Sequence, residues 1–153
     1  KMHDGADTAV ISLRDTEDVF SINPTVSRLS FGNSADTVNT GEIAIGDAAK
    51  IITHSGLPLG VHGSIAMGTG AETTGEASVS IGHTAKSSTH YSVAIGYLSE
   101  ASATSSIAIG SDVIASAIES VAIGSLAQVT AAGAAIINTS GVTATNNKIN
   151  KAP

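Results

Sequence analysis

The 153-residue chain holds five His, two Tyr, 13 Asp+Glu and no Cys, and these set the chemistry open to it. Without thiols there is no disulfide and no cysteine-ligated metal. His54 and His62 bracket the run Ser55-Gly56-Leu57-Pro58-Leu59-Gly60-Val61. They have the donor atoms for a metal, but no carboxylate stands near them in sequence, so neither metal nor cofactor is expected. Asp15, Glu17 and Asp18 cluster without the spacing of a calcium loop. Catalysis lacks its usual pieces: there is no Gly-x-Ser-x-Gly elbow, no His-Glu-x-x-His and no phosphate loop. The acidic residues are too scattered to pair for glycoside hydrolysis, so no catalytic residue is assigned and the chain is read as non-enzymatic. What remains is recognition. His83 and Tyr97 stand fourteen residues apart, each just after a Gly, and are expected to stack at one corner; His90 and Tyr91 fall at the opposite corner. Exposed Tyr is favoured in recognition, and loops grafted on a regular scaffold often carry binding residues. The candidate ligand contacts are therefore His54, Leu57, Pro58, Leu59, His62, His83, Tyr91 and Tyr97.

The elements that position these residues come from an internal repeat. The blocks are Leu29-Ser30-Phe31-Gly32, Ile43-Ala44-Ile45-Gly46, Ile65-Ala66-Met67-Gly68, Val79-Ser80-Ile81-Gly82, Val93-Ala94-Ile95-Gly96, Ile107-Ala108-Ile109-Gly110 and Val121-Ala122-Ile123-Gly124. A degenerate eighth copy is Ala135-Ile136-Ile137-Asn138. The closing residues are spaced by 14, 22, 14, 14, 14, 14 and 14, so one interval carries eight extra residues, around 54–61. β-branched residues flanking a small one and ending at Gly read as a strand and a corner. Asn138 is expected to take the Gly conformation in the last copy. Small residues three and five places past the Gly, Ala85 and Ser87 for example, predict a second strand on the return leg. In the last coil these are Gly141 and Thr143. Fourteen residues thus make one coil, and eight coils stacked about 4.8 Å apart give a rod of roughly 34 Å. One coil has no inside until its neighbours stack on it. Val and Ile are expected to fill the interior. That leaves Ala44, Ala66, Ala94, Ala108 and Ala122 as an outward column that packs against other copies of the chain in a cyclic assembly.

Composition agrees with this reading. Aromatic residues are only 3 % of the chain, so the core rests on small aliphatic side chains. A net charge of −6 with no Trp excludes an ordinary nucleic-acid binder. The uncharged run between Glu119 and Lys148 is broken by Ser120, Gln128, Thr130 and Asn138, so no direct membrane insertion is expected. No signal peptide appears, and the opening Lys1-Met2-His3-Asp4 is expected to be cut from something longer.

The pattern Ser92-Val93-Ala94-Ile95-Gly96, Ser106-Ile107-Ala108-Ile109-Gly110 and Ser120-Val121-Ala122-Ile123-Gly124 resembles the YadA-like head of trimeric autotransporter adhesins. The resemblance implies an all-β, left-handed parallel β-roll assembled as a homotrimer. It implies an outer-surface location on a bacterium, anchored to the outer membrane through parts outside this stretch. The function expected is non-enzymatic attachment to a host-cell receptor, a glycan or an extracellular matrix protein. The alternatives are a receptor-binding or shaft module of a phage tail fibre or other trimeric fibre, and a pure spacer. Three segments follow: 1–27, a cap or small hairpin suggested by Val10-Ile11-Ser12-Leu13 and Val19-Phe20-Ser21-Ile22; 28–143, the roll; and 144–153, a tail or linker.

Overall fold

The computed structural model describes residues 28–37, 41–52, 63–139 and 144–145. The expected N-terminal cap and the insertion at 54–61 lie outside the described residues. The strands, in chain order, are β1 (Arg28–Phe31), β2 (Glu42–Ile45), β3 (Lys50–Ile51), β4 (Ile65–Met67), β5 (Glu72–Thr73), β6 (Val79–Ile81), β7 (Lys86–Ser87) and β8 (Val93–Ile95). They continue with β9 (Glu100–Ala101), β10 (Ile107–Ile109), β11 (Ile114–Ala115), β12 (Val121–Ile123), β13 (Ala127–Val129), β14 (Ala135–Ile137) and β15 (Ala144–Thr145). They form two sheets, ordered β1-β2-β4-β6-β8-β10-β12-β14 and β15-β13-β11-β9-β7-β5-β3. All strand pairs are parallel. Each turn of chain after the first gives one strand to each sheet, the first adding only the bridge Asp36–Lys50 to the second sheet, and the result is a parallel β-solenoid of about seven turns with no helix among the described residues.

The register follows the repeat. Ile107 pairs with Val121 and Glu100 with Ile114, a step of fourteen. Across the insertion the step is 22 in both sheets, Ile43 to Ile65 and Lys50 to Glu72, so the eight extra residues leave the stack undisturbed. The last step of the second sheet differs from expectation. Ala127 pairs with Ala144 and Gln128 with Thr145, a step of 17. Ala144, not Gly141, therefore stands opposite Ala127, and the second sheet runs two residues past 143.

The interior reverses the expected orientation. Ala44, Ala66, Ala94, Ala108 and Ala122 are all 0 % exposed within a single chain, so they line the inside of the roll and have no surface to offer another copy. The flanking Val and Ile residues face outward and are half-buried, as at Val93 and Ile95. The reason is cross-section. A three-residue strand with a corner at each end must turn either one or two side chains inward. Fourteen residues enclose room for one small side chain from the first strand, facing two from the return leg. Successive interiors read Ala44/Ala49/Ile51, Ala66/Ala71/Thr73, Ser80/Ala85/Ser87, Ala94/Ser99/Ala101, Ala108/Val113/Ala115 and Ala122/Ala127/Val129, all buried. No such coil holds more than one β-branched side chain, which keeps the enclosed volume nearly constant along the stack.

Three inward hydroxyls are satisfied from across the roll. Ser80 Oγ donates to the Glu72 carbonyl at 2.8 Å, Ser87 Oγ to Val79 at 2.7 Å and Thr73 Oγ1 to Ile65 at 3.1 Å. The Ser that precedes five strands of the eight-stranded sheet, β4, β6, β8, β10 and β12, sits at the adjoining corner: Ser78 Oγ donates to the Gly75 carbonyl at 2.6 Å and Ser120 Oγ to that of Ala117 at 2.6 Å. Glu42 replaces this Ser in the second coil and is 1 % exposed.

Candidate functional site

Two corners join the sheets, and each is held by backbone bonds between successive coils. At the first, the residue two past the Gly is left-handed: Thr84 has φ +55°, Leu98 φ +52° and Asp112 φ +55°. An L-residue pays about 1–2 kcal/mol for that conformation. The stack offsets it, because each N–H meets a carbonyl one coil back: Thr84 to Thr69 at 2.9 Å, Leu98 to His83 at 3.0 Å and Asp112 to Tyr97 at 2.9 Å. The second corner repeats the device, with Tyr91 at φ +58° donating to Glu76 at 2.9 Å. Side chains at equivalent corner positions are therefore lined up one coil apart.

His83 and Tyr97 occupy such positions, and their rings stack with centroids 5.4 Å apart and planes 21° from parallel. Tyr97 is 51 % exposed. Thr84 Oγ1 lies 3.0 Å from His83 Nδ1. One coil further on, Ser111 Oγ donates to Asp112 Oδ2 at 2.8 Å. Leu98 is also exposed here. At the opposite corner Tyr91 is exposed and its ring is tilted 51° to that of His90, 6.3 Å away. His90 Nδ1 accepts a bond from the Glu76 N–H at 3.3 Å. The roll thus separates the two ring pairs; His83 and Tyr97 form one site and Tyr91 another. His54, Leu57, Pro58, Leu59 and His62 lie outside the described residues. Among the described residues no group of three His, Asp or Glu could hold a metal ion.

The outer faces differ in chemistry. On the seven-stranded sheet the register aligns Asp36, Lys50, Glu72, Lys86 and Glu100, a column of alternating sign. Lys86 Nζ lies 3.6 Å from Glu72 Oε1. Beside that column run Thr74, Ser88, Ser102, Ser116 and Thr130, none of them buried. The eight-stranded sheet presents instead two unbroken apolar columns. One aligns Leu29, Ile43, Ile65, Val79, Val93, Ile107 and Val121; the other aligns Phe31, Ile45, Met67, Ile81, Ile95, Ile109 and Ile123. Sequence reasoning assigned these side chains to the core and so missed them as a surface. The signal available was their size: in each block they are too large for a fourteen-residue coil.

Three overlapping stretches, residues 62–85, 74–99 and 90–112, match the family model described as YadA head domain repeat (2 copies). No curated protein matches the chain. YadA head domains are adhesin-type, non-enzymatic modules, and the family implies a surface-exposed domain. The matched stretch holds both ring pairs and the charged column from Glu72 to Glu100. The coils between residues 62 and 112 are YadA-like head repeats.

Proposed function

We propose that the chain is the head of a homotrimeric surface adhesin, a left-handed roll that attaches a bacterium to a host-cell receptor, glycan or extracellular matrix protein. The observation that carries this reading is the apolar outer face of the eight-stranded sheet. A continuous wall of half-buried Val and Ile along a rod calls for a cover. Full burial of such side chains contributes about 1.5–3 kcal/mol each, and the part left exposed in one chain is gained on association. Three walls turned toward a common axis cover one another completely and leave the polar seven-stranded sheets outside. The number three follows from the family likeness; the burial argument requires only a closed ring. Both ring pairs then stand at the corners between the covered wall and the outer sheet, repeated around the axis, which suits weak contacts strengthened by avidity.

The experiment has two readouts. Sedimentation equilibrium should give about three times the 15.1 kDa chain mass at micromolar concentration, in low and high salt. Beads coated with the protein should adhere to host cells or to immobilised matrix proteins. A monomer at these concentrations overturns the assembly. A trimer that adheres to no cell and no matrix protein makes the roll a spacer.

A further inference from the structure

We propose that the face of Tyr97 turned away from His83, with the Asp112 carboxylate of the following coil, is a binding subsite for a neutral hexopyranose. The inference rests on the adhesin reading and names the chemistry of its ligand. The stacked geometry of the two rings, 5.4 Å between centroids and 21° between planes, lays the Tyr97 ring across the coil, with one face on His83. Its other face looks toward the next coil. There the equivalent residue is Ser111, whose hydroxyl is engaged with Asp112 Oδ2 at 2.8 Å and which has no ring to continue the stack. The Asp112 N–H bonds the Tyr97 carbonyl at 2.9 Å, so the backbone of Asp112 is tied to the residue whose ring its side chain would serve. Tyr97 remains 51 % exposed, as a ring with one face covered should be.

With Ser at both 111 and 125 in this column, the ring-free space beyond Tyr97 is at least one coil spacing, about 4.8 Å, room for one saturated ring. A pyranose has a C–H face that packs on an aromatic ring and a rim of hydroxyls. The first matches Tyr97 through dispersion and apolar contact. The second donates to the Asp112 carboxylate in charge-assisted bonds, and Ser111 Oγ keeps lone pairs to accept another. Acidic sugars are disfavoured by Asp112 and by the chain's net charge of −6. A guanidinium would also stack and pair with Asp112, but it brings only donors and no apolar ring face.

The test uses saturation-transfer NMR on the assembled protein with methyl β-galactopyranoside, methyl β-glucopyranoside, N-acetylneuraminic acid and N-acetylarginine amide as separate probes. With two Tyr and no Trp in the chain, Tyr91→Phe leaves Tyr97 as the sole tyrosine, so its fluorescence titration reports this site alone. The expected result is a dissociation constant in the millimolar range for at least one neutral glycoside, as for any small single-ring contact. The protons of one sugar face should be saturated most strongly. Tyr97→Phe should keep binding, Tyr97→Ser should weaken it at least about tenfold and Asp112→Asn several-fold. Ser is a safe replacement because the same column already carries Ser111 and Ser125. Circular dichroism and sedimentation of each variant report folding and assembly. No neutral glycoside binding at tens of millimolar, or binding unchanged in folded Tyr97→Ser, overturns the subsite. Preferential binding of the arginine amide overturns it in favour of a peptide contact. Bead adhesion of the unaltered protein is scored separately, so a failed sugar site and a failed adhesin are told apart.

Discussion

A Cβ built on Gly96 would meet the carbonyl oxygen of Gly110 at 1.9 Å, and the residue sits at φ +129°. On Gly133, at φ +64°, the same atom would meet nothing within 4 Å. The two therefore respond differently to alanine. Gly96→Ala forces both a backbone clash and a strained φ, and should cost about 3 kcal/mol or more in chemical denaturation. Gly133→Ala carries only the left-handed penalty of about 1–2 kcal/mol. Equal losses would show that close approach between coils is not what demands glycine. Asn138 falls in the Gly column yet is not among the residues at positive φ, contrary to the sequence expectation. No strand of the eight-stranded sheet stacks beyond β14 among the described residues, so a Cβ is accommodated there. Its Nδ2 donates instead to the Ser125 carbonyl at 2.6 Å. The repeat shows where close approach recurs, but not that the last coil is exempt. The left-handed corners were equally hidden. Ala48, Leu98 and Glu119 occupy them without glycine, because the bond that holds each one comes from the preceding coil.

At the scale of the strand, periodicity revealed two strands and two corners per coil and the stacking of His83 on Tyr97. It could not reveal which side of Val-Ala-Ile faces inward. Alternation distinguishes two faces without naming them, and here both are apolar. Volume decides, and volume is a property of the closed coil. Ala108 tests the assignment. Ser80 sits in the same column with its hydroxyl on Glu72, eight residues back. Ala108→Ser can make the same bond to the Glu100 carbonyl and should change stability by less than about 1 kcal/mol. Ala108→Leu overpacks the interior and should cost about 1–3 kcal/mol in thermal or chemical unfolding. A well-tolerated Leu would return the Ala column to the surface. The outer column Asp36, Lys50, Glu72, Lys86, Glu100 carries a second prediction. Lys86→Glu sets three carboxylates one coil apart. Lys86 and Glu72 are 48 % and 37 % exposed at their side chains, so water screens the pair and the loss should stay within about 0.5–1 kcal/mol. Denaturation at low and at 0.5 M salt should show most of it vanishing. A loss that salt leaves intact would assign Lys86 a packing role instead.

At the scale of the whole molecule the proposed ring assembly gives the two outer faces opposite fates, one covered and one wet. Lys at both Ile95 and Ile109 places charge on neighbouring strands in the middle of the apolar wall, where the register sets these residues one coil apart. In a closed ring every subunit brings the same pair toward the axis, so like charges meet where water is excluded. Desolvating even a few of them costs several kcal/mol per ion, more than the local apolar gain can offset. The double variant should therefore sediment as a monomer at micromolar concentration. It should also melt well below the unaltered protein, because the isolated wall loses the burial that association supplies. Ser102→Lys, on the outer face of the seven-stranded sheet, adds one charge per chain and should leave the assembly mass unchanged. The reverse outcome, dissociation by Ser102→Lys with Ile95 and Ile109 indifferent to charge, would place the subunit contact on the polar sheet. It would leave the Val and Ile wall in need of a different partner.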